Sequence, residues 1–325
     1  MRLRNSKNNK PRVRFPGVFL VAMLGLALTG SAVNAADEEA GAEKLPDYTR
    51  TGADTCLKCH GDDAKVMTIF DTPHAVKADG RTPFAGAQCE SCHGPGSEHA
   101  GRVGFGKERP PIPAFGAKSP WTTERENKVC LGCHQDQEHR FWDGSGHQRQ
   151  DVGCVDCHTV HARHDPVMET ETQAPVCLDC HSEQRIAINS AYSHPIRYGE
   201  MACTSCHEPH GSLNPAMLTG TSVNRTCYKC HAETRGPFLW EHEPVTEDCT
   251  LCHRPHGSNN PALLTRRPPL LCQQCHSRLS HPSIGRTAEG LPSGEASQFL
   301  LSGSCLNCHS QVHGSNHPSG TPLSR

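Results

Sequence analysis

Apolar residues concentrate at one place in this chain. A run from about Phe15 to Leu28 follows a stretch carrying Arg2, Arg4, Lys7, Lys10, Arg12 and Arg14, and small residues then lead to Val33-Asn34-Ala35. A basic stretch, a short apolar run and an A-x-A-like end are the parts of an export signal, so residues 1–35 are expected to be removed. The run is shorter than the ~18 residues that span a bilayer, and no later segment is apolar enough to cross one. No cysteine lies near the cleavage site to carry a lipid. Over the whole chain 29 glycines and 25 prolines punctuate a polar sequence, too many for long helices or a large sheet. Short α-helices and coil are expected, cut at Pro195, Pro209, Pro255 and similar breakers, with no strand assigned.

Composition removes the usual source of an interior. Hydrophobic residues make up 35% of the 325, cysteines included, and only 16 are aromatic. Something other than side-chain burial must organise the fold. The formal charge of −2 hides an asymmetry, because the first 35 residues hold six basic and no acidic side chain, leaving the remainder at −8. That balance disfavours a nucleic-acid partner, which needs a basic surface.

The 20 cysteines change the picture. In an exported chain the default reading is a disulfide framework. Here every cysteine belongs to a Cys-x-x-Cys pair followed at once by histidine: Cys56/Cys59, Cys89/Cys92, Cys130/Cys133, Cys154/Cys157, Cys177/Cys180, Cys203/Cys206, Cys227/Cys230, Cys249/Cys252, Cys272/Cys275 and Cys305/Cys308. Ten histidine followers out of ten would arise by chance with a probability on the order of 10⁻¹². Thiols three apart on a helical turn share a face, so both can add to the vinyl groups of one haem. The adjacent imidazole then becomes the proximal iron ligand. Those ligands are His60, His93, His134, His158, His181, His207, His231, His253, His276 and His309. Zinc competes for short Cys and His spacings, but does not require a histidine after every second cysteine.

Thirteen histidines remain, against four methionines in the mature chain, so the sixth ligand is expected to be histidine throughout, with low potentials as a consequence. Internal repetition narrows the choice. Cys203–Leu218 repeats as Cys249–Leu264; a weaker copy starts at Cys154, and the tail from Cys305 keeps His-Gly-Ser-Asn with one residue inserted. Even-numbered motifs thus carry a second histidine downstream: His99, His161, His210, His256 and His313. A further histidine lies between each odd motif and the next even one: His74, His147 (preferred to His139), His194, His242 and His281. His139, His164 and His317 are spare. A histidine three residues past a proximal one is too close to reach the opposite face of the same haem, so it must ligate another. Gly211 and Gly257 are expected to let backbone and macrocycle approach.

The chain resolves into five two-haem units, at about 50–100, 127–168, 174–218, 224–264 and 269–317, within a haem domain over 36–325. An elongated array is expected in which haem supplies the apolar interior, at 29 residues per haem, with short helices beginning at the motifs. The apoprotein should be largely unfolded. Residues 101–126, with Arg109-Pro-Pro-Ile-Pro-Ala-Phe-Gly116, read as an extended spacer in preference to a segment for docking a partner, and the residues from Ser315 as a flexible tail.

Ten such motifs on an exported chain, the Cys-His-x-x-His-Gly-Ser-x-Asn-Pro repeats and the closing Val312-His-Gly-Ser-Asn-His-Pro-Ser-Gly320 resemble the MtrA/DmsE/PioA family of decahaem cytochromes c. The resemblance implies a periplasmic, outer-membrane-associated electron conduit seated in a β-barrel porin of MtrB type. It would link a periplasmic or inner-membrane donor or acceptor cytochrome to an outer-surface cytochrome or terminal reductase. A soluble periplasmic shuttle and, less favoured, a multihaem oxyanion reductase stand as alternatives. No motif substitutes lysine for its histidine, the frequent mark of such a reductase.

Overall fold

The computed structural model describes residues 47–276, 304–318 and 320–324. The export signal at 1–35 and the distal candidate His281 lie outside the described residues. Among these the secondary structure is short α-helices and 3₁₀ turns, the longest helices being Thr123–Leu131 and Thr170–Leu178 at nine residues each. No strand is found among them, only isolated bridges: Tyr192 with Ser258, His207 with Leu218, Trp240 with Ser315 and His253 with Leu264.

The motifs are helical turns, as the thiol spacing requires. In the nine motifs from Cys89 onward the histidine N–H donates to the carbonyl of the first cysteine at 2.8–3.1 Å, and the first motif lies inside helix Ala53–His60. The expectation that helices begin at the motifs holds for half of them. Helices Ala53–His60, Thr123–Leu131, Thr170–Leu178 and Val223–Cys227 run into odd-numbered motifs. Two of these are capped where they start, by the Thr122 and Ser222 hydroxyls accepting from Arg125 and Arg225 N–H. The turns at Cys154–Cys157, Cys203–Ser205, Cys249–Leu251 and Cys305–Asn307 start at even-numbered motifs.

Side-chain burial is sparse. The buried apolar residues among those described are Ala53, Ile69, Phe84, Trp142, Ala174, Ile188, Ala202 and Leu323, and none has a fully buried side chain. Ala53, Ile69 and Phe84 form a small cluster edged by Ala75, Cys89 and Val160.

Two sequence expectations about the path of the chain need correcting, and a third is met in its backbone part. Residues 101–126 do not merely space two motifs: the carbonyls of Pro110 and Pro113 accept from His99 and His93 Nδ1 at 2.7 and 2.8 Å, and Phe115 packs edge-on to His93. The Arg109 guanidinium donates to the His99 and Gly101 carbonyls, so the segment is a strap closed on its own chain. Prolines suit it, because their fixed φ holds the extended path while their carbonyls stay free to accept. The residues from Ser315 are docked: Ser315 pairs with Trp240, Asn316 Oδ1 accepts from Leu239 N–H at 2.8 Å, and the Leu323 carbonyl accepts from Gln311 N–H. Finally, Gly211 and Gly257 admit backbone. A β-carbon on Gly211 (φ +115°) would lie 2.2 Å from the Phe141 carbonyl oxygen, and one on Gly257 (φ +151°) 1.9 Å from that of Ala187.

Candidate functional site

Each motif turn presents two thiols and an imidazole, and the fold arranges these groups in order along the chain. The first thiols of consecutive motifs lie beside one another in five couples: Cys56 with Cys89, Cys130 with Cys154, Cys177 with Cys203, Cys227 with Cys249, and Cys272 with Cys305. All 20 cysteines are free of disulfides. Burial pushes the thiols of Cys92, Cys157, Cys206 and Cys252 up, keeping them neutral.

The imidazoles meet in twos. An imidazole nitrogen binds a first-row metal at ~2.0–2.1 Å and lies ~1.1 Å from its ring centre, so two rings across one metal have centres ~6.2 Å apart. Nine pairs stand at 5.9–6.4 Å: His60 with His99, His93 with His161, His134 with His74, His158 with His210, His181 with His147, His207 with His256, His231 with His194, His253 with His313, and His276 with His242. Each joins one proximal histidine to one distal candidate. No histidine downstream of an even motif pairs with its own motif's histidine, in keeping with the reach argument. Among the described residues, no three or more His, Cys, Asp or Glu side chains converge on one metal position.

One continuous cavity of about 4720 Å³ is lined by thiols and imidazoles from all ten motifs. Shared among ten macrocycles it allows about 470 Å³ each, within the ~300–1,000 Å³ of a cofactor-sized pocket. Donor set, ring spacing and space together fit covalently held haem.

One expected haem-binding thiol stands apart. Cys308 is exposed and does not line the cavity, although Cys305 and His309 of the same motif do. The second thiols of the earlier even motifs lie against thiols of the next motif, Cys92 near Cys130 and Cys133, Cys157 near Cys180, Cys206 near Cys227 and Cys230, and Cys252 near Cys275.

Comparison with known proteins agrees with a haem-binding chain. The family model for a doubled CXXCH motif matches residues 194–236 and 242–281. A model for NrfB-like c-type cytochromes matches 89–176, and one for cytochrome c554 and c-prime matches 29–94. The multiheme cytochrome MtrA of Shewanella baltica (strain OS185) is 49% identical over 281 residues, 86% of this chain and 83% of the relative. The chain belongs to the MtrA family of multihaem cytochromes. It is an electron-transfer protein carrying haem c on its paired motifs.

In this MtrA-family cytochrome the second ring nitrogen of several axial candidates is bound by backbone. Proximal His207, His253 and His309 offer Nδ1 to the carbonyls of Ala216, Ala262 and Pro322. Distal candidates His147, His194 and His242 offer Nδ1 to Pro209, Pro255 and Val312, each the residue preceding the histidine downstream of the even motif in the following unit. His161 offers its own to the Val66 carbonyl at 3.2 Å. A bonded Nδ1 sets the tautomer and leaves Nε2 as the metal-facing nitrogen. Carboxylates take this place at His158, with Asp165 Oδ2 at 2.7 Å, and approach it at His210, with Glu208 Oε1 at 3.2 Å, and at exposed His231, with Glu233 at 3.5 Å.

Burial, as the first cause, pushes His74, His93, His134, His256 and His313 down, and His210 down to about 4, so these rings are neutral and able to bind metal. Burial pushes the Glu208 carboxyl up.

Of the spare histidines, His164 is exposed and pairs with Glu169 at 2.9 Å, and the backbone N–H of His317 donates to the Ser315 hydroxyl. His139 lies 4.3 Å from His210 and 5.5 Å from His134, ring centre to ring centre, and packs the distal ring in place together with Trp142. His147, the preferred candidate in that interval, is the one that faces His181. Sequence reasoning missed the backing groups Pro110, Pro113, Asp165 and Glu208. The two carboxylates had left a signal, since Asp165 stands where the sister repeats have Asn214 and Asn260, and Glu208 where the next copy has Arg254.

Proposed function

We propose that the mature chain holds ten haem c groups in five two-haem units, each iron between two imidazoles, and conducts electrons across the outer membrane inside a β-barrel porin. The observation that carries this reading is the set of nine ring pairs at 5.9–6.4 Å. Bound haem supplies an iron that gains and loses one electron, and closely spaced haems exchange it without a diffusing part.

The chain's own residues do the holding. Paired cysteines tether each macrocycle, with Cys308 joining Cys305 at the last one; the motif histidine caps one face, and a histidine from elsewhere caps the other. At every boundary between units two ring pairs cross in opposite senses: His74 with His134 and His161 with His93 at the first, and His242 with His276 and His313 with His253 at the last. At the near end His60 takes His99 of its own unit, and by elimination His309 takes His281. These pairs hold neighbouring units close. Among the described proximal histidines, the first nine already face a second ring, which favours a carrier over an enzyme with an open iron.

The porin is the part of the reading carried by kinship to MtrA. No described helix is long and apolar enough to cross a membrane, so passage would need an insulating wall around this polar chain. The test is reconstitution in liposomes enclosing a redox dye. External reductant should bleach the dye only when chain and barrel are both present. Chain and barrel that never associate, with no bleaching even when both are present, would favour the shuttle.

A further inference from the structure

We infer that the haem held between His158 and His210 has the lowest reduction potential of the ten, because carboxylates stand behind both of its axial imidazoles. The inference rests on the ring pairing proposed above. Asp165 Oδ2 accepts from His158 Nδ1 at 2.7 Å, and its other oxygen accepts from Thr159 N–H at 3.2 Å, which locks the carboxylate. On the opposite side Glu208 Oε1 sits 3.2 Å from His210 Nδ1 and is held by the backbone N–H of His210 itself. That Nδ1 is buried and has no aligned hydrogen-bond partner, so Glu208 is the acceptor within reach.

A carboxylate at Nδ1 draws the ring proton and makes the imidazole a stronger donor, which a carbonyl does less well. A stronger donor favours the ferric iron, with its extra positive charge, over the ferrous one, and so lowers the potential. Both acids are largely shielded, at 20% exposure for Asp165 and 24% for Glu208, so water damps their effect less than at an open surface. Among the described residues, another carboxylate near an axial ring, Glu233, is 3.5 Å from His231 and 70% exposed. In the sister repeats the two positions are occupied by Asn214 and Asn260 and by Arg254. Two separate changes of residue therefore converge on one iron. That haem accepts its electron last as the chain is reduced and surrenders it first.

The experiment is a potentiometric titration of the full haem-loaded chain at pH 7, following individual haems by electron paramagnetic resonance, for the parent, Asp165→Asn, Glu208→Gln and the double variant. Mass and low-spin spectra first establish that each variant carries its full set of six-coordinate haems. In each single variant the lowest-potential component should shift upward, and further in the double, while the other components stay. Glu233→Gln should leave that component unmoved. If Asp165→Asn fails to load, Glu208→Gln alone decides. Movement of two different components by the two substitutions would overturn the ring pairing. A lowest component that neither substitution moves would overturn this inference and leave the pairing intact.

Discussion

The α-carbon of Gly257 abuts the carbonyl of Ala187 so closely that a β-carbon there would lie 1.9 Å from the oxygen. The contact registers His256, one residue earlier, against the stretch before His194. Gly257→Ala should therefore cost more than ~1 kcal/mol, since the backbone must move and φ is +151°. Gly80→Ala, with nothing within 4 Å of its β-carbon, is the neutral control. Thermal denaturation of the loaded protein compares them.

Removing one distal ring should open one iron and no other. His256→Ala should leave the number of haems unchanged by mass and convert a single centre from low-spin to high-spin, with carbon monoxide binding to it after reduction. The partner is His207, at 5.9 Å. His164→Ala, exposed and bonded to Glu169, should leave the spectrum as it was.

The strap over the first two motifs should be weakened by Arg109→Ala. Its guanidinium holds the His99 and Gly101 carbonyls from a surface position, so the loss is about 1 kcal/mol once solvent screening is allowed for. Faster proteolysis within residues 101–116 is the expected readout.

Acid should loosen the His158–His210 pair in a defined window. Burial, and then His139, His158, His147 and His134, push His210 down from 6.5 to about 4. Between those values the unfolded chain holds a proton on this ring that the folded chain does not, so folded stability falls as pH drops through that range and is restored above it. Acid titration of the low-spin signal is the measurement. A transition that strengthened below pH 6.5 would contradict it.

Chain produced without haem attachment should lack stable structure, because no described side chain is fully buried and the cavity runs past all ten motifs. Circular dichroism near the coil limit and rapid proteolysis are expected.

Motif turns and the set of distal candidates could be written down from fixed local spacing, but which ring faces which could not. Cys203–His207 can form only one kind of turn, and His210, three residues beyond His207, can only look elsewhere. What spacing alone could not convey was long-range packing. Cys308 has the same spacing as the other second thiols, yet it does not line the cavity. Pro110 and Pro113 read as spacer residues because a proline-rich stretch shows no period, yet their carbonyls back His99 and His93. Ser315 read as tail from its place near the last residues of the sequence, yet a two-sided bridge to Trp240 docks it. Gly257 was marked as a place of close approach, correctly, but its neighbour is backbone 70 residues earlier in the chain.

The doubly crossed boundaries restrict how such a chain can change its length. On the ligation proposed above, a block of two motifs inserted at a boundary brings one histidine to lend forward and one to lend back, and every iron is still capped. A block with a single motif strands one metal and leaves one imidazole unemployed. Relatives with longer or shorter arrays should differ by even numbers of haems, whatever their loops have done.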